Sequence, residues 1–169
     1  VKIVALVRHG RAHPEAAPSR DFDRPLDDHG RQEVRAMARR LAELDWEPEA
    51  IVASAAERTR QTAQILASVL EVPAHRVVCE ARLYLAPPDQ LLEVLQDLDP
   101  DLREVMLVGH NPGLSELARE LARRPRLADL ATAAACRITS PARVWGRAGR
   151  DGPRRVELEM PPDAAPPQG

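Results

Sequence analysis

Apolar positions along the 169-residue chain follow two alternating patterns. Short unbroken runs, the mark of strands covered on both faces, occupy residues 1–7, 50–53, 77–79 and 105–108. Between them, apolar residues recur every three or four positions, the period of a helix with one buried side. Val34, Met37, Ala38, Leu41 and Leu44 place such a helix over 28–45, capped by Asp27 or Asp28. Ser54 and Glu57 read as a capping box, so a second helix runs from about 55 to 70. Pro88 opens a third helix through Leu98, with Leu91, Leu92 and Leu95 as its apolar side. Asn111 and Pro112 serve as cap and first-turn residue of a fourth, ending near Ala122. Residues 11–26, with Pro14, Pro18 and Pro25, carry neither period and read as irregular. The last third changes character: 133–139, 142–145 and 154–160 read as strands, with a turn signal at Arg150-Asp151-Gly152. The proline-rich residues 161–169 are expected to form a disordered tail, which leaves one domain over 1–160. Strands alternating with helices, then a meander, predict an α/β layered domain whose sheet is mostly parallel with antiparallel additions.

Composition narrows the functional classes. Charges nearly balance, with 24 basic and 26 acidic residues and a formal net charge of −2, and Lys2 is the only lysine. The aromatics are Phe22, Trp46, Tyr84 and Trp145. A near-neutral chain with so few stacking rings is not expected to bind nucleic acid. Cys79 and Cys136 lie far apart in apolar stretches, without metal-type spacing, and read as buried free thiols. The first apolar run is too short to cross a bilayer, so a cytoplasmic protein without a membrane partner is expected.

The chemistry concentrates at predicted strand ends, where sites form in parallel sheets. The first strand delivers Arg8-His9-Gly10, the second Ser54 with Arg58 one helical turn later, and the fourth Gly109-His110-Asn111. If the sheet is parallel, two arginines, two histidines and two helix N-termini converge on one edge. That set suits a phosphoryl group. Arginine offers a planar fork of donors and keeps its charge, and helix N-termini add backbone N–H groups. Positive charges also hold a nearby imidazole neutral, and a neutral imidazole has a ring nitrogen free to attack phosphorus. Gly10 permits close backbone approach, and its carbonyl is placed to hold the other ring nitrogen. The alternatives are ion pairs for Arg8 and Arg58, and a core or capping role for His110. His9 and His13 are four apart, but Gly10 and Pro14 break any helix between them, so no metal is expected. His29 and His75 are given no role, and Asp27 and Asp28 are caps.

The segments VRHGRA (7–12), RPLDDHG (24–30), SAAERTRQTA (54–63) and VGHNPGL (108–114) resemble, in order, those of the histidine phosphatases, the phosphoglycerate-mutase-like superfamily with an Arg-His-Gly motif. The short SixA-type phosphohistidine phosphatases are the more similar branch. The resemblance implies a three-layer fold, with helices on both faces of the sheet and a C-terminal antiparallel meander. It makes His9 the nucleophile that becomes phosphorylated and Arg8, Arg58 and His110 the residues that hold the phosphoryl group, with Gly10 and Asn111 added as phosphate contacts. No metal or other cofactor is implied. Relatives acting on phosphate esters carry a carboxyl that protonates the leaving alcohol. The matching position here is Leu85, with Glu80 and Asp89 nearby as possible acids. A phosphohistidine needs such an acid less, because its leaving imidazole has a reference pKa of about 6.5. A phosphohistidine-bearing protein is therefore the expected substrate and partner. A small-molecule phosphomonoesterase and a non-catalytic phospho-binding regulator are the alternatives. Residues 83–88 offer an apolar docking rim unless Leu83 and Leu85 pack inward.

Overall fold

The computed structural model describes residues 1–14 and 20–162. The expected disordered tail falls mostly on 163–169, outside the described residues, as does part of the irregular 11–26 segment. Six strands form one sheet: β1 (Lys2–Arg8), β2 (Ala50–Ser54), β3 (Val77–Glu80), β4 (Glu104–Gly109), β5 (Ala135–Ser140) and β6 (Arg155–Glu159). Four helices join them: α1 (Asp28–Glu43), α2 (Glu57–Leu70), α3 (Pro88–Gln96) and α4 (Gly113–Ala122). The strand order is β3-β2-β4-β1-β5-β6. The first four are parallel to one another, and β5 and β6 are antiparallel additions. Among the described residues, no helix is long and apolar enough to cross a membrane.

Side chains of a strand alternate between faces, and here each face has its own core. Val4, Leu6, Val52, Val105 and Leu107 pack with Leu91, Leu95, Leu114 and Leu117 of α3 and α4. Ala5, Val7, Ile51, Met106 and Val108 pack with Val34, Met37 and Leu41 of α1 and Leu66 of α2. The unbroken apolar run of β1 follows from this: every side chain from Val4 to Val7 meets one helical layer or the other. Full burial of a leucine such as Leu6 contributes roughly 2 kcal/mol.

Three expectations need correction. Residues 142–145 are not a strand; a 3-10 turn, Trp145–Arg147, takes their place. The aromatic residue that suggested a strand there, Trp145, is buried and donates its indole N–H to the Leu102 carbonyl at 2.9 Å. Ser54 and Glu57 form no capping box: Ala56 precedes α2 without a side-chain cap, and Ser54 is the last residue of β2. Cys79 is exposed on the edge strand β3, while Cys136 is buried as expected. Asp27 does cap α1, accepting from the Gly30 N–H at 2.6 Å.

Candidate active site

The three parallel strands β1, β2 and β4 end together, with Arg8 opposite Gly109 and Ala53 opposite Val108. His9, Ser54 and His110 therefore arrive on one edge of the sheet. Arg58 reaches it from the first turn of α2, 3% exposed.

His9 is fixed from all sides. Its backbone N–H donates to Gly109 at 3.2 Å, and its carbonyl accepts from Ala133 at 3.1 Å. Its ring Nδ1 lies 2.7 Å from the Gly10 carbonyl. A carbonyl can only accept, so Nδ1 carries the proton and the neutral ring keeps its lone pair on Nε2. Gly10 must be small for this: a Cβ there would lie 2.6 Å from Val34 Cγ2 and 2.9 Å from the Gly30 carbonyl. Its N–H is taken by Thr62 Oγ1 at 3.2 Å. Gly10 thus orients the His9 ring through its carbonyl, while its N–H ties the loop to Thr62 of α2.

His110 has the opposite tautomer. Its Nδ1 lies 3.3 Å from Arg58 Nη2, which can only donate, so Nδ1 is the bare nitrogen. The proton sits on Nε2, 2.7 Å from Ser54 Oγ. The His9 and His110 ring centroids are 5.3 Å apart. Burial, opposed by the Gly10 hydrogen bond and assisted by the charges of Arg58, Arg8 and Arg24, holds His9 down at about 4. Burial, with the neighbouring His9 and the Arg58 charge, pushes His110 down to about 3. Both rings are neutral at pH 7.

The two arginines are held by the chain itself. Arg8 Nη1 donates to the Leu130 carbonyl at 3.0 Å, which also accepts from Asn111 Nδ2 at 2.8 Å. Asn111 Oδ1 accepts from both the N–H and the hydroxyl of Ser115. Its amide ties the loop before α4 to the loop before β5. Arg58 Nη1 donates to the Asp21 carbonyl at 2.8 Å and Nη2 to its carboxylate at 3.0 Å. The Nε groups of Arg8 and Arg58 are buried and meet no acceptor among the described residues.

Asp21 is a carboxylate that reading the sequence missed. It also accepts from Arg24, at 3.0 and 2.7 Å, and from the Tyr84 hydroxyl at 2.6 Å. Burial alone would raise its carboxyl, but these hydrogen bonds from Tyr84, Arg24 and Arg58 hold it far below the usual carboxylate range. Tyr84 sets its ring edge-on to His110 at 5.5 Å, and Phe22 sets its own against Tyr84 at 5.1 Å. Asp21 stands three residues before the RPLDDHG segment, and the i,i+3 pairing with Arg24 was its one local signal.

Neither expected acid joins this group. Glu80 is committed to Arg82, accepting from its backbone and guanidinium, and is lowered by those bonds. Asp89 is exposed in the first turn of α3. Leu85, at the position where ester-cleaving relatives carry the acid, is 56% exposed. Among the described residues, no three His, Cys, Asp or Glu side chains cluster as metal ligands would.

Comparison with known proteins meets this geometry from outside. The model of the histidine phosphatase superfamily (branch 1) matches residues 4–83. An uncharacterized protein of Picosynechococcus sp. strain PCC 7002 is 38% identical over 120 residues, 68% of this chain and 70% of that one. An uncharacterized chloroplastic protein of Arabidopsis thaliana is 30% identical over 129 residues, which span 69% of this chain and 57% of the relative. The structure of the protein histidine phosphatase SixA complexed with tungstate superposes with a TM-score of 0.79 at 25% identity, covering 94% of this chain and 97% of that one. The matched stretch runs through Arg8, His9 and Arg58, and the superposition covers 94% of the chain: the chain belongs to the histidine phosphatase superfamily.

Proposed function

We propose that the protein is a phosphatase that works through phospho-His9 and that it removes phosphate from phosphohistidine on another protein. The observation that carries this reading is the state of His9: neutral, with Nδ1 held by Gly10, Nε2 unprotonated, and two guanidinium groups beside it. The Nε2 lone pair attacks phosphorus as the bond to the substrate nitrogen breaks, and the leaving imidazole takes up a proton. Arg8, Arg58 and a hydrogen bond from His110 stabilise the charge that spreads over the phosphoryl oxygens; losing one such donor costs roughly 3–4 kcal/mol of transition-state energy. For His110 to donate from Nδ1, Arg58 Nη2 turns from that nitrogen to the phosphoryl oxygens and the ring proton passes from Nε2 to Nδ1; Ser54 Oγ then donates to the bared Nε2, since a hydroxyl can donate as readily as accept. Water then attacks phospho-His9, phosphate departs, and the imidazole is restored.

Two things favour phosphohistidine over an ester. The carboxylate bonded to this group of residues, Asp21, is held ionised and has no proton to give an alkoxide. An imidazole leaving group has little need of one. The likeness to a protein histidine phosphatase bound to tungstate, a tetrahedral oxyanion, supports the same reading. The test is a brief reaction with ³²P-labelled phosphohistidine, then a quench. The expected product is a phosphoenzyme that is acid-labile and alkali-stable, and absent in His9→Ala. Label on a serine or an aspartate would overturn the assignment.

A further inference from the structure

Resting on that reading, we infer that Leu85 is the docking contact for the protein that carries the phosphohistidine. Leu85 follows Tyr84, whose ring faces His110, and precedes Ala86, which is pressed against the start of α4. The fit there is close: a Cβ on Gly113 would lie 2.0 Å from the Ala86 carbonyl oxygen. Residues 84–86 are thus clamped at both ends onto elements that hold the site. Between the clamps, Leu85 turns outward, 56% exposed, while Leu83 just before it is fully buried. Its backbone adopts φ +48°, a left-handed conformation that favours glycine and strains a branched side chain. A leucine here is unfavourable for the isolated protein twice over, in backbone conformation and in apolar exposure. Strain of this kind persists where surrounding structure imposes it, and it clusters at functional sites.

The surroundings say what would cover it. Other exposed large apolar side chains, Val1, Val78, Val144, Leu158 and Met160, lie on the N-terminal residue, the edge strands, the loop after β5 or just past β6. Among them Leu85 alone is flanked by a residue on the site, Tyr84, and by one packed on the start of α4, Ala86. Tyr84, its neighbour in sequence, is an aromatic, and a second, Phe22, lies half-buried against Tyr84. A free phosphorylated metabolite would need only the cationic centre. A phosphohistidine on a folded partner brings the surface around it, and that surface must rest on the rim through which its side chain enters. An apolar patch flanking the partner's histidine is the complement of Leu85, and a central apolar anchor is where binding energy concentrates in such contacts.

The experiment compares Leu85→Gly with wild type on two substrates. One is free phosphohistidine. The other is the best-hydrolysed member of a panel of histidine phosphotransfer and phosphocarrier domains from the source cell, each phosphorylated with phosphoramidate. The expected result is a fall in kcat/KM of about tenfold on the phosphorylated domain relative to free phosphohistidine, carried by KM. The melting midpoint should be no lower than wild type, because glycine relieves the left-handed strain. Equal changes on both substrates, or a wild-type enzyme that hydrolyses no domain better than free phosphohistidine, would overturn the docking role and leave the phosphatase reading standing. Failure of wild type to hydrolyse either substrate would remove both.

Discussion

Replacing Asp21 by asparagine tests what holds Arg58 in place. The carboxylate takes four hydrogen bonds: from Arg58 at 3.0 Å, Tyr84 at 2.6 Å and Arg24 at 3.0 and 2.7 Å. Asparagine has one carbonyl oxygen, and its amide nitrogen must then face the donors of either Arg24 or the Arg58–Tyr84 pair. At least two bonds are lost. Hydrogen bonds to charged groups contribute about 1.5–3 kcal/mol each. The Arg24 pair is part hydrated, with side-chain exposures of 22% and 27%, and counts for less. Arg58, 3% exposed, counts for more, because its charge would stay buried without its counter-ion. A net loss of about 2–3 kcal/mol follows, which for a chain of this length lowers the melting midpoint by about 5–10 °C. The kinetic effect falls on the transition state. Arg58 keeps its charge but loses alignment, so kcat drops on the order of a hundredfold while KM moves little. Thermal melts and steady-state kinetics on p-nitrophenyl phosphate measure both effects. An asparagine variant with the wild-type midpoint and wild-type kcat would refute the argument that Asp21 positions Arg58.

Three further outcomes are expected. His9 should titrate near pH 4 in NMR of its ring protons, assigned by loss of the signal in His9→Gln; a midpoint near 6.5 would contradict its placement among positive charges. The same depression links to stability: between pH 6.5 and 4 the unfolded chain has bound a proton at this position and the folded chain has not. His9 therefore weakens the fold by about 3 kcal/mol as pH falls through that window, and His9→Gln should flatten this part of the pH dependence of the midpoint. Glu80→Gln and Asp89→Asn should each stay within about twofold of the wild-type kcat; a loss of about a hundredfold, the contribution of a general acid, would reinstate that residue as proton donor.

Arg8, His9, Arg58 and His110 were legible because each belongs to a short segment fixed by one strand end or one helix start. Local pattern places the strand, and the parallel sheet places its end. Asp21 and Tyr84 were not legible for the converse reason. Each sits in a loop without periodicity, and what gives it meaning is a partner 37 or 63 residues away. Ser54 was misread because the Ser-x-x-Glu spacing that caps a helix occurs here where the strand ends three residues before the helix begins. Its hydroxyl is drawn to His110, which only the β2–β4 pairing brings near. Residues 142–145 misled because a buried tryptophan beside Val144 and Ala142 reads as a short strand over four residues.

The position of β1 in the sheet has a consequence for how this protein can change over time. It is bonded along its length by β4 on one side and β5 on the other, so releasing His9 from its place requires breaking two ladders at once. Asp21, Phe22, Tyr84 and Leu85 ride instead on the connections leading out of β1 and β3, which belong to neither ladder. Insertions and substitutions in those connections, outside the Asp21–Tyr84 pair that holds Arg58, can redraw which molecules are admitted while the reacting imidazole keeps its station. Divergence among related chains is thereby channelled toward new clients and away from new chemistry.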